Sequence, residues 1–311
     1  MSSQSADPST VPCRVISDTR DRVGESPVWS VTEQALYWVD IEGRRIHRWD
    51  SAAGTVQSWH SPERVGCIVL SARGGLVAAM ESGVFEVTLL APPALQATLL
   101  VGITHPRDNM RFNDGRCDRQ GRFWLSTMCM DMGLASPVGA VFCLDEAGLS
   151  PARVDGLITP NGMAFSPDGR CYYLSDSHPS VQKIWAFDLD PANGAVSQRR
   201  DFVDMGPLPG RPDGAAVDEQ GNYWICGNDA GLVHCFSAQG QLLRSVPVPV
   251  AKPSMCAFGG PTLSTLFVAS ILPGTVSADQ PGLNGAVFAL DCGATGLPEP
   301  VFSRFPTQAS V

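Results

Sequence analysis

The chain has 311 residues, of which 44% are hydrophobic, and 31 Asp and Glu against 22 Lys and Arg leave a net charge of −9. A chain of this length buries a substantial core, in one large domain or in two smaller ones. Its basic residues are scattered and form no stripe that would neutralise a phosphate backbone, so we expect no nucleic-acid partner. No apolar run approaches the roughly 18 residues that span a bilayer, so we expect no membrane association.

The first ten residues, MSSQSADPST, are predicted to form a disordered N-terminal tail, and residues 11–311 a single domain. This opening lacks the basic start and the apolar stretch of a signal peptide, which favours a cytoplasmic protein. The ten cysteines include no C-x-x-C pair, and several alternate with apolar neighbours. We therefore expect reduced thiols in the core, as is usual in the cytoplasm.

A repeated unit runs along the chain. Each unit has a short apolar run, a polar turn and a second run of β-branched or aromatic residues, a pattern typical of a β-hairpin. In chain order the second runs are ALYWVD (35–40), GLVAAM (75–80), RFWLSTM (122–128), CYYLSD (171–176), NYWICGN (222–228) and TLFVAS (265–270). Further strand-like segments follow each hairpin, which gives about four strands per unit, and no long helical periodicity occurs.

The spacing of these units predicts the architecture. One residue from each second run forms an aligned column, separated by steps of 40, 47, 49, 51 and 43 residues: Leu36, Leu76, Phe123, Tyr172, Tyr223 and Leu266. These steps match the length of a propeller blade. The sequence therefore predicts an all-β protein, a six-bladed β-propeller with four-stranded antiparallel blades. An open ring would leave sheet edges unpaired, so we expect residues 11–17 to pair with residues 300–305 and close it.

A second column carries oxygen-bearing side chains. Ten or eleven positions before the aligned column lie Glu25, Asn113, Asn161 and Asp213, each at the start of a predicted innermost strand and so at one mouth of the channel. Asn-Gly and Asp-Gly are also common turn dipeptides. The hairpin turns of these units lie further along the chain, however, as in SPDG at 166–169. The polar column is therefore predicted to be a separate, functional feature.

Two carboxylates and one or two amide oxygens that converge on an axis suit Ca²⁺, Mg²⁺ or Mn²⁺ and also accommodate Zn²⁺. A bound ion of this kind polarises a carbonyl group. Arg111 lies two residues before Asn113 and is placed to hold a substrate hydroxyl, a carboxylate or a developing oxyanion. A serine hydrolase is disfavoured because no G-x-S-x-G motif occurs.

Four phrases resemble the regucalcin (senescence marker protein) and gluconolactonase family of six-bladed propellers, over nearly the whole chain and in the same order. They are GESPVW (24–29), RFNDGRCDRQGRFWLSTM (111–128), PNGMAFSPDGRCYYLSD (160–176) and PDGAAVDEQGNYW (212–224). The resemblance implies that Glu25, Asn161 and Asp213 hold one divalent metal ion and that Arg111 and Asn113 line the substrate pocket. In some members an acidic residue further on also contacts substrate, and the matching position here is Asp131.

The implied activity is metal-dependent hydrolysis of a sugar-acid lactone, a gluconolactone-like aldonolactone, with Asp213 as the general base. The expected partner is thus a small-molecule sugar lactone, and the sequence does not distinguish oligomeric states. Two alternatives stay open. In the first, the same site acts on phosphotriesters or aryl esters, which would suit apolar residues near the mouth such as Met110, Met128 and Met130. In the second, the chain is a non-catalytic propeller that binds calcium.

Overall fold

The computed structural model describes residues 11–274 and 282–307, and these residues form almost nothing but β-strands and turns. Their 25 strands lie in six antiparallel sheets, which confirms the predicted six-bladed propeller. One short 3₁₀ helix, Met132–Leu134, is present between two strands of the third blade. Residues 1–10, where a disordered tail is predicted, lie outside the described residues. Within the described part of the chain no helix has the length and apolarity needed to span a membrane.

Each blade runs from its innermost strand at the axis to its outermost strand at the rim. The strands of the first three blades are, in that order, β2 (Gly24–Ser30), β3 (Ala35–Asp40), β4 (Arg45–Asp50) and β5 (Thr55–His60); β6 (Val65–Leu70), β7 (Leu76–Met80), β8 (Gly83–Leu89) and β9 (Leu95–Gly102); and β10 (Met110–Cys117), β11 (Phe123–Cys129), β12 (Gly139–Asp145), with β13 (Gly148–Leu149) and β14 (Val154–Leu157) both on the outer edge of β12.

The other three blades follow the same plan. Their strands are β15 (Pro160–Phe165), β16 (Cys171–Asp176), β17 (Lys183–Leu189) and β18 (Val196–Asp204); β19 (Arg211–Val217), β20 (Tyr223–Asn228), β21 (Leu232–Phe236) and β22 (Leu242–Pro247); and β23 (Pro253–Gly259), β24 (Thr265–Ser270), β25 (Val287–Leu290) and β1 (Cys13–Ser17). Each innermost strand contacts the innermost strands of both neighbouring blades, and this closes the ring around the axis.

The core lies between neighbouring blades. All six residues of the aligned column sit on the second strand of a blade and are almost fully buried. Aromatic side chains join one blade to the next, as where the ring of Trp224 in β20 meets Phe258 in β23 at a centroid distance of 5.9 Å. Burying such side chains contributes about 1.5–3 kcal/mol each, so the ring is stabilised chiefly at these interfaces.

The ring closes with a different partner from the one predicted. Residues 11–17 do supply the outermost strand of the last blade, β1, but β1 pairs with β25 and not with residues 300–305. The prediction was wrong because β25 has a free edge that needs a partner, while Pro298 and Pro300 lack the N–H groups that a ladder requires. Residues 300–305 instead cross the end of the propeller opposite the mouth, where the buried Phe302 bridges to Ser71 of the second blade.

All ten cysteines are free thiols, and eight of them are buried, which confirms the prediction of core thiols. Cys13 is the exposed exception and lies on β1 at the rim of the last blade. The SPDG segment at 166–169 is also as predicted: it is a turn between β15 and β16 whose Pro167 and Asp168 are exposed, closed by a hydrogen bond from the Gly169 N–H to the Ser166 carbonyl oxygen at 2.9 Å.

Candidate active site

The four residues of the polar column lie near the start of four innermost strands, at the same end of the ring. Glu25 is in β2, Asn113 in β10, Asn161 in β15 and Asp213 in β19. In each strand the pairing register shifts at or just after this residue, which is the mark of a β-bulge. A bulge re-aims a side chain that would otherwise follow the strict alternation of the strand, and bulges recur beside active sites.

The backbone after the column residue is left-handed in two of these blades. Ser26 follows Glu25 with φ of 52°, and Gly162 follows Asn161 with φ of 64°. A Cβ atom at position 162 would lie 2.6 Å from the hydroxyl oxygen of Tyr223 and 2.7 Å from Oγ of Ser175, so only glycine fits without displacement. Asn161-Gly162 is therefore a bulge within a strand and not a hairpin turn.

Hydrogen bonds join three of the predicted site residues in a chain. Arg111 Nη1 donates to Asn113 Oδ1 at 2.6 Å and to the carbonyl oxygen of Phe112 at 2.9 Å. Asn113 Nδ2 in turn donates to Asn161 Oδ1 at 3.1 Å. The structure thus brings Arg111, Asn113 and Asn161 together across the third and fourth blades.

Glu25 and Asp213 are close enough to repel each other. Burial raises the pKa of Glu25 well above its usual range, and the negative charges of Asp213 and Asp114 raise it further. Two groups oppose this rise in pKa: the Ser26 N–H, which lies 3.4 Å from Glu25 Oε2, and the positive charge of Arg111. A cation or a proton bound between the carboxylates would relieve the repulsion.

Asp213 is buried as well, and burial raises its pKa to about 7. A hydrogen bond from Asn228 Nδ2 to Asp213 Oδ2 at 2.6 Å and the nearby Arg211 lower this pKa, while Asp114 and Asp229 raise it. A carboxylate with a pKa near neutrality is a stronger base than an ordinary aspartate and is still ionised in part at physiological pH. In the ion-free protein the environment of Asp213 is therefore suited to proton transfer.

Asp131 lies apart from these residues. It is exposed, on the loop that follows β11 at the same end of the ring as Asn113, and its carboxylate accepts a hydrogen bond from Gly133 N–H at 3.0 Å. This bond caps the 3₁₀ helix Met132–Leu134. No hydrogen bond or ion pair of the described residues links Asp131 to the other predicted site residues, and its substrate-binding role stays a prediction.

Two buried residues of the site were not singled out from the sequence. Asp114, which follows Asn113, lies in β10, where its Oδ2 accepts the Met163 N–H at 2.8 Å across the blade boundary. Asn228 closes an apolar run at the end of β20 and holds Asp213. In both cases the sequence could have indicated the residue, because it is a polar side chain in a segment whose other residues are typical of a buried strand.

The oxygen donors of Glu25, Asn161 and Asp213 suit a hard divalent cation, because the two carboxylates repel each other and the positive charges of Arg111 and Arg211 offset that repulsion only in part. In residues 11–274 and 282–307 no group of three or more His, Cys, Asp and Glu side chains is arranged to hold a metal ion. A site here would therefore depend on amide oxygens beside the two carboxylates. Of the apolar residues expected at the mouth, Met110 and Met128 are buried in the core, which leaves Met130 partly exposed.

The sequence also matches a known family and characterised relatives. The family profile described as "SMP-30/Gluconolactonase/LRE-like region" matches residues 23–272. The chain is 37% identical to the 6-deoxy-6-sulfogluconolactonase of Pseudomonas putida, over 90% of this chain and 95% of that protein. It is 33% identical to the pentonolactonase XacC of Haloferax volcanii, over 91% of this chain and 95% of that protein.

A solved structure has the same fold. The calcium-binding protein regucalcin from Agrobacterium tumefaciens superposes with a TM-score of 0.85 at 23% sequence identity, covering 94% of this chain and 98% of that one. At this identity the superposition shows a shared fold.

Proposed function

Because the chain belongs to the SMP-30/gluconolactonase/LRE-like family and is a lactone-ester hydrolase, we propose that it opens a sugar-acid lactone, a gluconolactone-like aldonolactone, to the aldonic acid with the help of one divalent metal ion. One observation carries the proposal. Two carboxylates with raised pKa values, the partly buried Glu25 and the buried Asp213, lie at the mouth that also holds the hydrogen-bonded chain of Arg111, Asn113 and Asn161.

Glu25, Asn161 and Asp213 would hold the ion, as Ca²⁺, Mg²⁺, Mn²⁺ or Zn²⁺. When bound, a divalent ion supplies positive charge that polarises an ester carbonyl and offsets the repulsion between the two carboxylates. Three protein ligands are fewer than any of these ions accepts, so room remains for substrate.

Arg111 and Asn113 would orient the sugar. Arg111 is partly buried, and its Nε is shielded from solvent and has no hydrogen-bond partner among the described residues. A planar guanidinium offers several fixed donors, which suits the hydroxyl-rich and acidic character of an aldonolactone. Asp131, exposed on the loop that follows β11, would offer acceptors for sugar hydroxyl groups.

Asp213 would be the general base. Its carboxylate takes a proton from a water molecule as the water oxygen adds to the lactone carbonyl carbon. The bond between the carbonyl carbon and the ring oxygen then breaks, and the ring oxygen leaves as a hydroxyl group that carries the proton Asp213 took from the water, which regenerates the Asp213 carboxylate. The net reaction consumes one lactone and one water and yields the open-chain hydroxy acid, which releases a proton near neutral pH. Arg111 stabilises the oxyanion that develops at the carbonyl.

The test is a pH-indicator assay of hydrolysis on metal-stripped protein reconstituted with each of the four ions. We expect ion-dependent opening of glucono-, galactono-, xylono- or arabinolactone, and we expect Asp213→Ala to reduce kcat by at least about 100-fold. Asp168→Asn, in the exposed SPDG turn, is the matched control and should retain the wild-type rate.

The outcomes separate the alternatives. If every lactone stays at its spontaneous rate with every ion, the proposed function is wrong. Turnover of aryl esters or phosphotriesters alone would favour the second type of hydrolase, while ion binding without turnover of any substrate would favour a calcium-binding propeller.

A further inference from the structure

Two buried aspartates outside the site occupy equivalent positions in two blades. Asp40 is the last residue of β3 and Asp176 the last residue of β16, each four positions after the aligned column residue of its blade. Both side chains are almost fully shielded from solvent, with exposures of 3% and 2%. A buried carboxylate requires several hydrogen-bond donors, so its partners indicate what it holds in place.

In the first blade Asp40 holds the segment that leads into β2. Its Oδ2 accepts the N–H of Arg22 at 3.1 Å, and its Oδ1 accepts the N–H groups of Val23 and Gly43, both at 3.0 Å. The next residue, Ile41, donates its own N–H to the carbonyl oxygen of Val23 at 2.9 Å. Hydrogen bonds thus hold the N–H groups of Arg22 and Val23 and the carbonyl oxygen of Val23, which lie three and two residues before Glu25.

In the fourth blade Asp176 makes the equivalent bonds to the segment that leads into β15, and its third donor lies two residues after it instead of three. Its Oδ2 accepts the N–H of Ile158 at 2.7 Å, and its Oδ1 accepts the N–H groups of Thr159 and His178, both at 3.0 Å. Ser177 donates its N–H to the carbonyl oxygen of Thr159 at 2.9 Å. Ile158 and Thr159 lie three and two residues before Asn161, as Arg22 and Val23 do before Glu25.

The other four blades have no carboxylate at this address, where they carry Met80, Thr127, Gly227 and Ser270. The two aspartates therefore occur in the blades that supply Glu25 and Asn161. Asp213, in the fifth blade, is held at its own carboxylate by Asn228. Among the described residues, Glu25 accepts one hydrogen bond, a long one of 3.4 Å from the Ser26 N–H, so its position depends on the backbone that carries it.

We infer that Asp40 and Asp176 are positioning residues that fix the approach to β2 and β15 so that Glu25 and Asn161 reach the same ion. The inference rests on the proposed metal site. A carboxylate that accepts three backbone N–H groups makes charge-assisted bonds and restricts the segment to one conformation. Groups that orient metal ligands in this way typically change metal affinity about 10- to 100-fold when they are replaced.

The test replaces each carboxylate by its amide. Asp40→Asn and Asp176→Asn keep the side-chain volume but turn one acceptor oxygen into a donor, which then faces a backbone N–H. The matched control is Asp218→Asn, because Asp218 is equally buried and accepts the N–H groups of Gln220 at 3.0 Å and Asn222 at 2.8 Å, at the end of the fifth blade opposite the mouth. Ca²⁺ and Mn²⁺ affinity is measured by titration calorimetry, and Tm by thermal denaturation of the ion-free proteins.

We expect the Kd for the ion to rise about 10- to 100-fold in Asp40→Asn and Asp176→Asn and to stay within twofold of the wild type in Asp218→Asn. The Tm of all three variants should be lower than that of the wild type. At saturating ion, kcat of the two positioning variants should return to within a few-fold of the wild type, because the catalytic groups are intact. Should either variant fail to fold, Asp40→Ser or Asp176→Ser, which keeps one acceptor, replaces it in the same comparison.

Two negative results have different meanings. If the wild-type protein binds neither ion, the proposed function fails before the inference is reached. If the wild type binds an ion and the two positioning variants bind it with a Kd within twofold of Asp218→Asn, the inference is overturned while the proposed site stands.

Discussion

Asp213 is the residue where the proposed ion binding and the proposed proton transfer meet. Burial raises its pKa to about 7, and its shortest side-chain contact is the 2.6 Å hydrogen bond from Asn228. The amide fixes one carboxylate oxygen, which leaves the other to the ion or to a water molecule. Asn228 itself is buried, and no residue of the described chain bonds its Oδ1, so its amide is oriented by this contact with Asp213.

Removing this amide should impair catalysis more than stability. We expect Asn228→Ala to lower kcat/KM for lactone hydrolysis by about 10- to 100-fold, because Asp213 loses the donor that orients it. Asn222→Ala is the matched control, since Asn222 Nδ2 donates to Asp218 Oδ2 at 2.9 Å at the other end of the same blade. Each variant should lose about 1 kcal/mol of unfolding free energy. Equal kcat/KM in the two variants would contradict the role of Asn228.

At the scale of the element, the innermost strands combine pairing with a bulge that aims a side chain at the axis. The sequence around Asn161 resembles a turn because Gly162 has the positive φ of a turn residue. Gly162 nevertheless lies inside β15, which pairs with β16 on both sides of the bulge. The hydroxyl of Tyr223 donates to the Gly162 carbonyl oxygen at 2.7 Å and ties this bulge to the fifth blade.

Gly162→Ala should therefore be more harmful than an ordinary glycine replacement. The left-handed backbone costs about 1–2 kcal/mol for alanine, and the new Cβ would overlap Tyr223 and Ser175, which adds about 1–3 kcal/mol. Gly54→Ala is the control, because Gly54 has nearly the same φ, 67°, and has no atom within 4 Å of the Cβ position. Urea denaturation measures both losses, and a loss in Gly162→Ala no greater than in Gly54→Ala would contradict the steric argument.

At the scale of the whole molecule, the proposed site joins blades that are far apart in the sequence. Glu25, Asn161 and Asp213 come from the first, fourth and fifth blades, so an ion held by all three would bridge the ring across its axis. Ion binding should thus stabilise the closed ring as a unit, by the amount that mass action gives for a ligand of the folded state alone.

This stabilisation should depend on pH. The pKa values of Glu25 and Asp213 are raised in the ion-free folded protein, the latter to about 7, above the value of about 4 for an unfolded aspartate. The folded state therefore binds protons more tightly, and these groups make the ion-free protein less stable as pH rises from about 4 to about 7. Because the ion competes with these protons, its affinity should rise over the same range.

Thermal denaturation at pH 5.5 and pH 8, with and without excess Ca²⁺ or Mn²⁺, checks this expectation. The rise in Tm on adding the ion should be clearly larger at pH 8. Asp168→Asn, in an exposed turn, should behave as the wild type does, whereas Asp213→Asn should lose most of the shift in Tm at both pH values. An equal shift at the two pH values in the wild-type protein would be inconsistent with the raised pKa values.

Local patterns determined much of this protein. Alternating apolar runs and turn residues predict the hairpins, and their spacing predicts six blades, because pairing between adjacent strands is a short-range property of the chain. The recurrence of oxygen-bearing residues at one address also singled out Glu25, Asn113, Asn161 and Asp213. That address has a fixed position in each blade, so the sequence alone sufficed to place these residues on the same end of the ring.

The tertiary structure decided what depends on contacts between distant segments. The partner of β1 is β25 because of a free edge that exists only in the assembled sixth blade, and residues 300–305 follow a different path. Asp114, Asp40 and Asp176 have identifiable roles only once the backbone N–H groups that bond them are in place, and Asn228 only once the carboxylate of Asp213 lies beside it. Such hydrogen bonds join residues that are 15 or more positions apart, and no local pattern of residue types specifies them.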